Sequence, residues 1–227
     1  MTFTLDKIVP WGRSFDEYAA MFALSKDDLK KRFLDCGGGP SSFNCVLTKL
    51  GGQVISADPI YRFDSGDIRR RVDETFEQVM DQTRRNREEF VWRQIPSVEA
   101  LGRVRMAAMK EFLSDYGLGK KEGRYVDACL PFLLFKDGEF DIALCSHLLF
   151  LYSDQLSEEF HLQSIEELCR VSSEARIFPL LELGARRSRH LKAVIEGLKK
   201  NGFAAVVEAV PYKFQKGGNE MLRVKIL

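Results

Sequence analysis

Arg32-Phe33-Leu34-Asp35-Cys36-Gly37-Gly38-Gly39-Pro40-Ser41-Ser42-Phe43, followed by Gln53-Val54-Ile55-Ser56-Ala57-Asp58, decides the fold. A short apolar run ends in an acid and three glycines, and a helical pattern with Phe43, Val46, Leu47 and Leu50 at its apolar positions follows at once. A second short apolar run ends in another acid, Asp58. Glycines lack the Cβ that stops backbone from closing on a ligand, and they tolerate positive φ. The helix behind them opens with free N–H groups. Asp58 at the tip of the neighbouring strand is where a carboxylate accepts the two hydroxyls of a ribose. The pattern is half of a nucleotide-type cofactor site in a doubly wound α/β fold.

Outward from this stretch the chain alternates strands and helices. Ser41 or Ser42 is the expected N-cap of the first crossover helix, and Gly51-Gly52 ends it. After an interruption, strands are expected over 124–128, 140–145 and 174–183, with helices over 154–171 and 188–201. Two final strands, 203–210 and 221–227, are joined by a turn region around Gln215-Lys216-Gly217-Gly218-Asn219. With no helix between them they must pair antiparallel or lie apart, so a parallel sheet should finish with one antiparallel strand. The interruption, 64–123, contains no strand pattern. Ile68, Val72, Phe76, Val79, Thr83 and Phe90 share one helical face, Val98, Leu101, Ala108, Phe112 and Tyr116 another, and Ile95-Pro96-Ser97 separates them with Ser97 as N-cap. The segment holds 12 Lys/Arg and 12 Asp/Glu, so it is a charge-balanced helical pair: either a surface hairpin covering the sheet or a lid over a substrate cleft. The expected organisation is one domain over 1–227 with this helical insertion inside it.

Composition narrows the function classes. The 227 residues carry Lys+Arg 34 and Asp+Glu 33, a net charge of +1, which leaves no electrostatic footprint for nucleic acid. Hydrophobic residues make up 45%, ample for a core, yet no apolar run approaches the ~20 residues that span a bilayer. Met1 to Pro10 lacks a basic region followed by a long apolar run, so a secretory signal is not expected. Five cysteines at 36, 45, 129, 145 and 169 show no CxxC spacing; four lie on core elements and read as reduced thiols of a cytoplasmic protein, with no metal site.

The glycine turn alone does not name the cofactor. A nicotinamide dinucleotide site has G-x-G-x-x-G; here glycines hold the first two positions, 37 and 39, but Ser42 takes the third and Pro40 intervenes. Asp35, two residues before the glycines, would anchor the turn or a positively charged amino group, and would repel a pyrophosphate. A third acid-tipped strand follows in Tyr125-Val126-Asp127-Ala128-Cys129-Leu130-Pro131-Phe132, where Asp127 and the adjacent N–H could grip the amino edge of an adenine.

Asp35-Cys36-Gly37-Gly38-Gly39-Pro40, Asp58-Pro59, Asp127-Ala128 and Phe140-Asp141-Ile142-Ala143-Leu144-Cys145-Ser146-His147 resemble, in order and spacing, the successive cofactor motifs of the class I S-adenosylmethionine-dependent methyltransferases. The resemblance covers about residues 30–60 and 124–227, and departs from the family pattern where Pro40-Ser41 stands for the more usual final glycine. It implies a Rossmann-like, doubly wound, mostly parallel seven-stranded sheet with the last strand antiparallel, and S-adenosylmethionine as cofactor. It further implies that Asp35, Cys36 and the Gly37–Gly39 turn hold the methionine part, that Asp58 with Pro59 holds the ribose, that Asp127 and Ala128 bind adenine, and that Cys145 and Ser146 line the methyl-transfer side.

The catalytic side is thinner in the sequence, because methyl transfer asks mainly for alignment and exclusion of water, and for a base only when the acceptor loses a proton. His147 is the best-placed base; a histidine packed beside the cofactor without moving a proton is the plainer account of the same position. Tyr152 would orient an acceptor or cover the adenosine. Arg13, in Pro10-Trp11-Gly12-Arg13-Ser14, would pair bidentately with the methionine carboxylate, or simply belong to a packed turn. His161 and the basic run Arg186-Arg187-Ser188-Arg189-His190 read as solvated helix positions. No Asn-Pro-Pro-Tyr follows the fourth strand, no cysteine setting marks a base-carbon methyltransferase and the charge is neutral, so the acceptor is expected to be a small molecule rather than nucleic acid, with no membrane partner. A non-catalytic module binding S-adenosylmethionine or S-adenosylhomocysteine is the alternative reading, and an NAD-dependent oxidoreductase the remote one.

Overall fold

The computed structural model describes residues 10–227, so the expectation about the first nine residues lies outside the described part. In chain order the elements are α1 (Phe15–Met21), β1 (Arg32–Cys36), α2 (Phe43–Lys49), β2 (Gln53–Ala57), α3 (Ser65–Arg85), α4 (Val98–Lys121), β3 (Tyr125–Val126), β4 (Ile142–Ser146), α5 (Glu158–Val171), β5 (Ala175–Phe178), β6 (Leu181–Glu182), β7 (Arg186–Arg187), α6 (Leu191–Lys200), β8 (Phe203–Ala209) and β9 (Glu220–Ile226).

Seven strands form one sheet in the order β3-β2-β1-β4-β5-β9-β8. The pairs β1–β2, β1–β4, β2–β3 and β4–β5 are parallel, and β9 runs antiparallel to both β5 and β8. The final hairpin therefore has the direction that the missing crossover helix requires. The order reverses between β1 and β4, and in open α/β sheets the crevice at such a switch point, beyond the carboxyl ends of the strands, is where ligands bind.

Strand alternation sorts the core into two layers. Leu34, Cys36, Ala143 and Cys145 face one cluster, shared with Ile165 and Leu168 of α5 and Val194 and Leu198 of α6. Phe33, Ile142 and Leu144 face the other, shared with Tyr18 and Met21 of α1 and Phe43 and Leu47 of α2. A sheet buried on both faces explains why β1 and β4 read as near-continuous apolar runs. A third cluster, Tyr61, Ile68, Val72, Met109, Phe112, Tyr116 and Tyr125, fastens α3 and α4 against the β2–β3 edge.

Several local expectations change in detail. The α2 helix starts after Ser42, but that hydroxyl makes no capping bond and is buried without a partner; its N–H instead donates to the Arg13 carbonyl at 3.0 Å. Ser97 does cap α4, accepting from the Ala100 N–H at 3.1 Å. The long strand expected over 174–183 stops at Phe178, because Pro179 has no N–H to continue the ladder, and the chain then turns into the small β6–β7 hairpin. Helix α3 ends at Arg85, five residues short of Phe90. Phe90 is instead in extended chain that bridges to Gln215 of the β8–β9 loop. This link, with Val91 N–H donating to the Phe214 carbonyl and Lys216 N–H to the Glu89 carbonyl, ties the helical insertion to the C-terminal hairpin.

Candidate functional site

The glycine turn is held from three sides. The Gly37 N–H donates to the Ala57 carbonyl at 2.8 Å, joining the turn to the end of β2. The Gly39 N–H donates to Asp58 Oδ2 at 2.9 Å, while Tyr61 donates its hydroxyl to the Gly39 carbonyl at 2.8 Å. Asp58 also accepts from the Ile60 N–H at 2.9 Å, which makes it the cap of the short turn Pro59–Arg62. Gly37 and Gly39 adopt positive φ, 73° and 55°. A Cβ on Gly38 would overlap the Asp35 carboxylate, so only glycine permits this turn to rest on a buried acid.

Asp35 lies beneath the turn, fully buried, accepting from the Tyr18 hydroxyl at 3.0 Å and the Ser56 hydroxyl at 3.2 Å. Burial pushes its carboxyl up to about 7, against those two bonds, and the nearby Asp58 charge adds to the rise. Burial likewise raises Asp58, opposed by its two N–H donors.

Beside the turn a cavity of about 420 Å³ opens, within the range of small-molecule sites. Its wall includes Gly37–Gly39, Asp58, Pro59, Ser146, His147 and Tyr152, and also Arg13. Arg13 is brought there by the approach of residues 10–13 to Pro40: a Cβ on Gly12 would collide with the Pro40 carbonyl. Its Nη1 donates to the Trp11 carbonyl, its Nε is buried without a partner, and no carboxylate pairs with it among the described residues. Burial, then the neighbouring Arg105, lowers Arg13 to about 10, which leaves it charged at neutral pH.

Arg105 is the residue the sequence reading missed. It comes from the middle of α4, is 1% exposed, and donates through Nη1 to Glu17 Oε2 of α1. Glu17 Oε1 accepts the Tyr212 hydroxyl at 2.9 Å. Burial pushes Glu17 up, but Arg105 and then Arg13 overcome it and hold the carboxyl at about 2. A buried guanidinium, Arg105, and a half-buried one, Arg13, thus face one carboxylate. The only sequence trace of this was an arginine at helical spacing from Leu101, Ala108 and Phe112, which point inward.

His147 follows β4 in a left-handed backbone conformation, φ 53°, its N–H bonded to the Phe178 carbonyl at 2.7 Å. Its Nδ1 is 2.8 Å from Ser146 Oγ, and its ring packs edge-on against Phe178. Burial and the charges of Arg13 and Arg105 push it well below the usual histidine range, so the ring is neutral at pH 7. Tyr152 is buried in a short turn after it.

Other expected residues stand apart from the cavity. The thiols of Cys36 and Cys145 lie in the apolar core, and Asp127 and Ala128, past the short β3, are outside the wall. Asp127 is half exposed, 3.9 Å from Arg62, which does line the cavity. Of the five cysteines four are buried and Cys129 is exposed. The solvated role expected for His161 is corrected: α5 turns it inward, fully buried, against Phe150 and His190. His190 bonds the Ser153 carbonyl through Nε2 at 3.0 Å, while Arg186, Arg187 and Arg189 pair with Glu182, Glu220 and Asp154. Among the described residues, no helix is long and apolar enough to cross a membrane.

No family profile matches the chain. Among solved structures, the pyocyanin biosynthetic protein PhzM superposes with a TM-score of 0.50 at 14% identity, over 94% of this chain and 54% of that one. A TehB-like SAM-dependent methyltransferase from Corynebacterium glutamicum gives 0.49 at 14% identity, over 94% and 87%. What PhzM shares with this chain is the fold, which here is a mostly parallel, Rossmann-like seven-stranded sheet with one antiparallel strand. In sequence the chain is 35% identical over 216 residues to uncharacterized protein MJ0045 of Methanocaldococcus jannaschii. Since that likeness spans 94% of both chains, this protein belongs to the same family as MJ0045.

Proposed function

We propose that the chain is an S-adenosylmethionine-dependent methyltransferase acting on a small-molecule acceptor. The observation that carries the reading is a charged Arg13 with a buried, unpartnered Nε in the same wall as the glycine turn and Asp58. A guanidinium with no carboxylate bonded to it suits a carboxylate, and a turn stripped of Cβ atoms suits a close-lying amino-acid end. Asp58 spends one bond per oxygen on backbone N–H groups, so each oxygen keeps acceptor capacity for a ribose hydroxyl.

In this reading Arg13 and the Gly37–Gly39 turn hold the methionine part, and Asp58 and Pro59 the ribose. Asp127 and Ala128 meet the adenine edge beyond β3. Asp35 supports the turn from below, and Cys36 and Cys145 set the strand ends without their thiols taking part. When bound, the cofactor supplies an electrophilic methyl group for in-line displacement. Leu148, Phe178 and Phe214 give the cavity an apolar wall against water. His147 is neutral; with its Nδ1–H donated to Ser146 Oγ, its Nε2 is an acceptor for a proton leaving the substrate, and Tyr152 orients the acceptor. A base pushed so far down suits an acceptor that ionises readily.

Calorimetric titration with S-adenosylmethionine and S-adenosylhomocysteine, with NAD as control, tests the proposal on wild type, Asp58→Ala and Arg13→Met. Micromolar binding of both adenosyl ligands, at least tenfold weaker in each variant, is expected. Binding of NAD instead, or of neither adenosyl ligand, would sink it. Adenosyl binding with no methyl transfer to any acceptor would favour the non-catalytic module.

A further inference from the structure

We infer that the acceptor is a monoanionic, largely apolar carboxylic acid, and that Arg105, presented by the helical insertion, reads its carboxylate. The inference rests on the methyltransferase reading for the place of the cofactor. Four arginines, 13, 62, 71 and 105, line the described cavity, against one carboxylate, Asp58. Arg62 and Arg71 sit at exposed positions within reach of Asp127 and Glu74. The inner pair differs: half-buried Arg13 and buried Arg105 have only Glu17 between them, and each keeps a buried Nε without a partner.

Cofactor binding does not remove that surplus. The ligand brings one carboxylate, one ammonium and one sulfonium, so it adds a net positive charge to a low-dielectric site. A cationic acceptor is repelled there, whereas a single anionic oxygen group is drawn in. With Glu17 and Asp58 set against Arg13 and Arg105, the cofactor's net charge is the one left over, and it matches a monoanion better than a phosphate dianion.

The rest of the acceptor is set by what surrounds Arg105. Val79 of α3, Leu101 of α4, Phe90 between them and Phe214 of the β8–β9 loop line the cavity. They come from the insertion and the C-terminal loop, whereas the strand ends carry the glycine turn and Asp58. An apolar or aromatic body beside a guanidinium is the chemistry of an aromatic acid. The Arg105–Glu17–Tyr212 chain fixes the guanidinium in place, so little ordering is left for binding to do.

The test titrates wild-type protein, loaded with S-adenosylhomocysteine, with matched pairs: 2-naphthoate against 2-naphthamide, and 3-phenylpropionate against its amide. At least one acid should bind ten times more tightly than its amide, a preference that the double variant Glu17→Gln/Arg105→Met abolishes. The double change removes both partners of the buried pair and so avoids stranding a carboxylate. S-adenosylhomocysteine affinity, measured on the same sample, should fall by less than threefold. Equal binding of acids and amides, or no binding by either series, overturns the inference. So does a variant that loses the adenosyl ligand and the acid together, since Arg105 would then serve the cofactor. If wild type binds no adenosyl ligand, the methyltransferase reading falls, and the acid–amide comparison on the free protein still decides whether the anion site exists.

Discussion

Replacing Asp35 by asparagine should make the protein more stable at alkaline pH and no more stable at acid pH. Asp35 is fully buried under the glycine turn, and its carboxyl is pushed up to about 7, against ~3.9 in an unfolded chain. A gap of ~3 pH units at about 1.4 kcal/mol each amounts to about 4 kcal/mol. The sign follows from proton binding. Between pH 4 and 7 the folded state holds a proton that the unfolded chain has released, so stability present below pH 4 is lost as pH rises to 7. Above 7 the whole penalty is in force. Asparagine keeps the shape and carries no charge. Its carbonyl accepts one of the two hydroxyl bonds from Tyr18 and Ser56, and the other hydroxyl must turn to accept from the amide, at a cost of about 1 kcal/mol. The net expectation is a variant ~3 kcal/mol more stable than wild type at pH 8 and about 1 kcal/mol less stable at pH 4. Urea unfolding of both proteins across pH 4–9 measures it, and titrating groups not coupled to Asp35 cancel in the difference. A stability difference that does not change with pH would refute the argument that Asp35 is held at a cost for the sake of the turn.

Gly12→Ala should weaken S-adenosylhomocysteine binding by an order of magnitude or more while leaving far-ultraviolet circular dichroism unchanged. The added Cβ drives residues 10–13 off the Pro40 carbonyl and takes Arg13 with them; unchanged calorimetric affinity would count against that packing. Phe112→Ala, which empties a fully buried site between Tyr61, Tyr116 and Tyr125, should cost 3–5 kcal/mol or so in chemical denaturation. A loss below about 1 kcal/mol would mean that α4 is not fastened to the sheet edge through this cluster.

Local patterns carried much of this fold. Apolar runs ending in acids located β1 and β2, a buried apolar run located β4, and the glycines after β1 marked the turn, because those signals depend on neighbours a few residues apart. The helix-free stretch between β8 and β9 fixed their antiparallel pairing. Patterns of this kind say less about strand ends. The acid-tipped strand over 124–128 shrinks to Tyr125–Val126, and Pro179 cuts β5 short. His161 illustrates a different gap: Glu158 and Glu159 beside it suggested solvent, yet its own position on α5 turns toward Phe150.

The sequence by itself determined the α/β alternation, the glycine turn and the acids Asp35 and Asp58 at successive strand ends, since each is written in contiguous residues. Only the tertiary structure decided which side chains meet across the cavity. Arg105 reaches Glu17 across 88 positions and Tyr212 reaches it across 195. The insertion is joined to the C-terminal loop through Phe90 and Gln215. Charge balance over 64–123 concealed the one arginine that matters there, because burial, not composition, sets the strength of a charge.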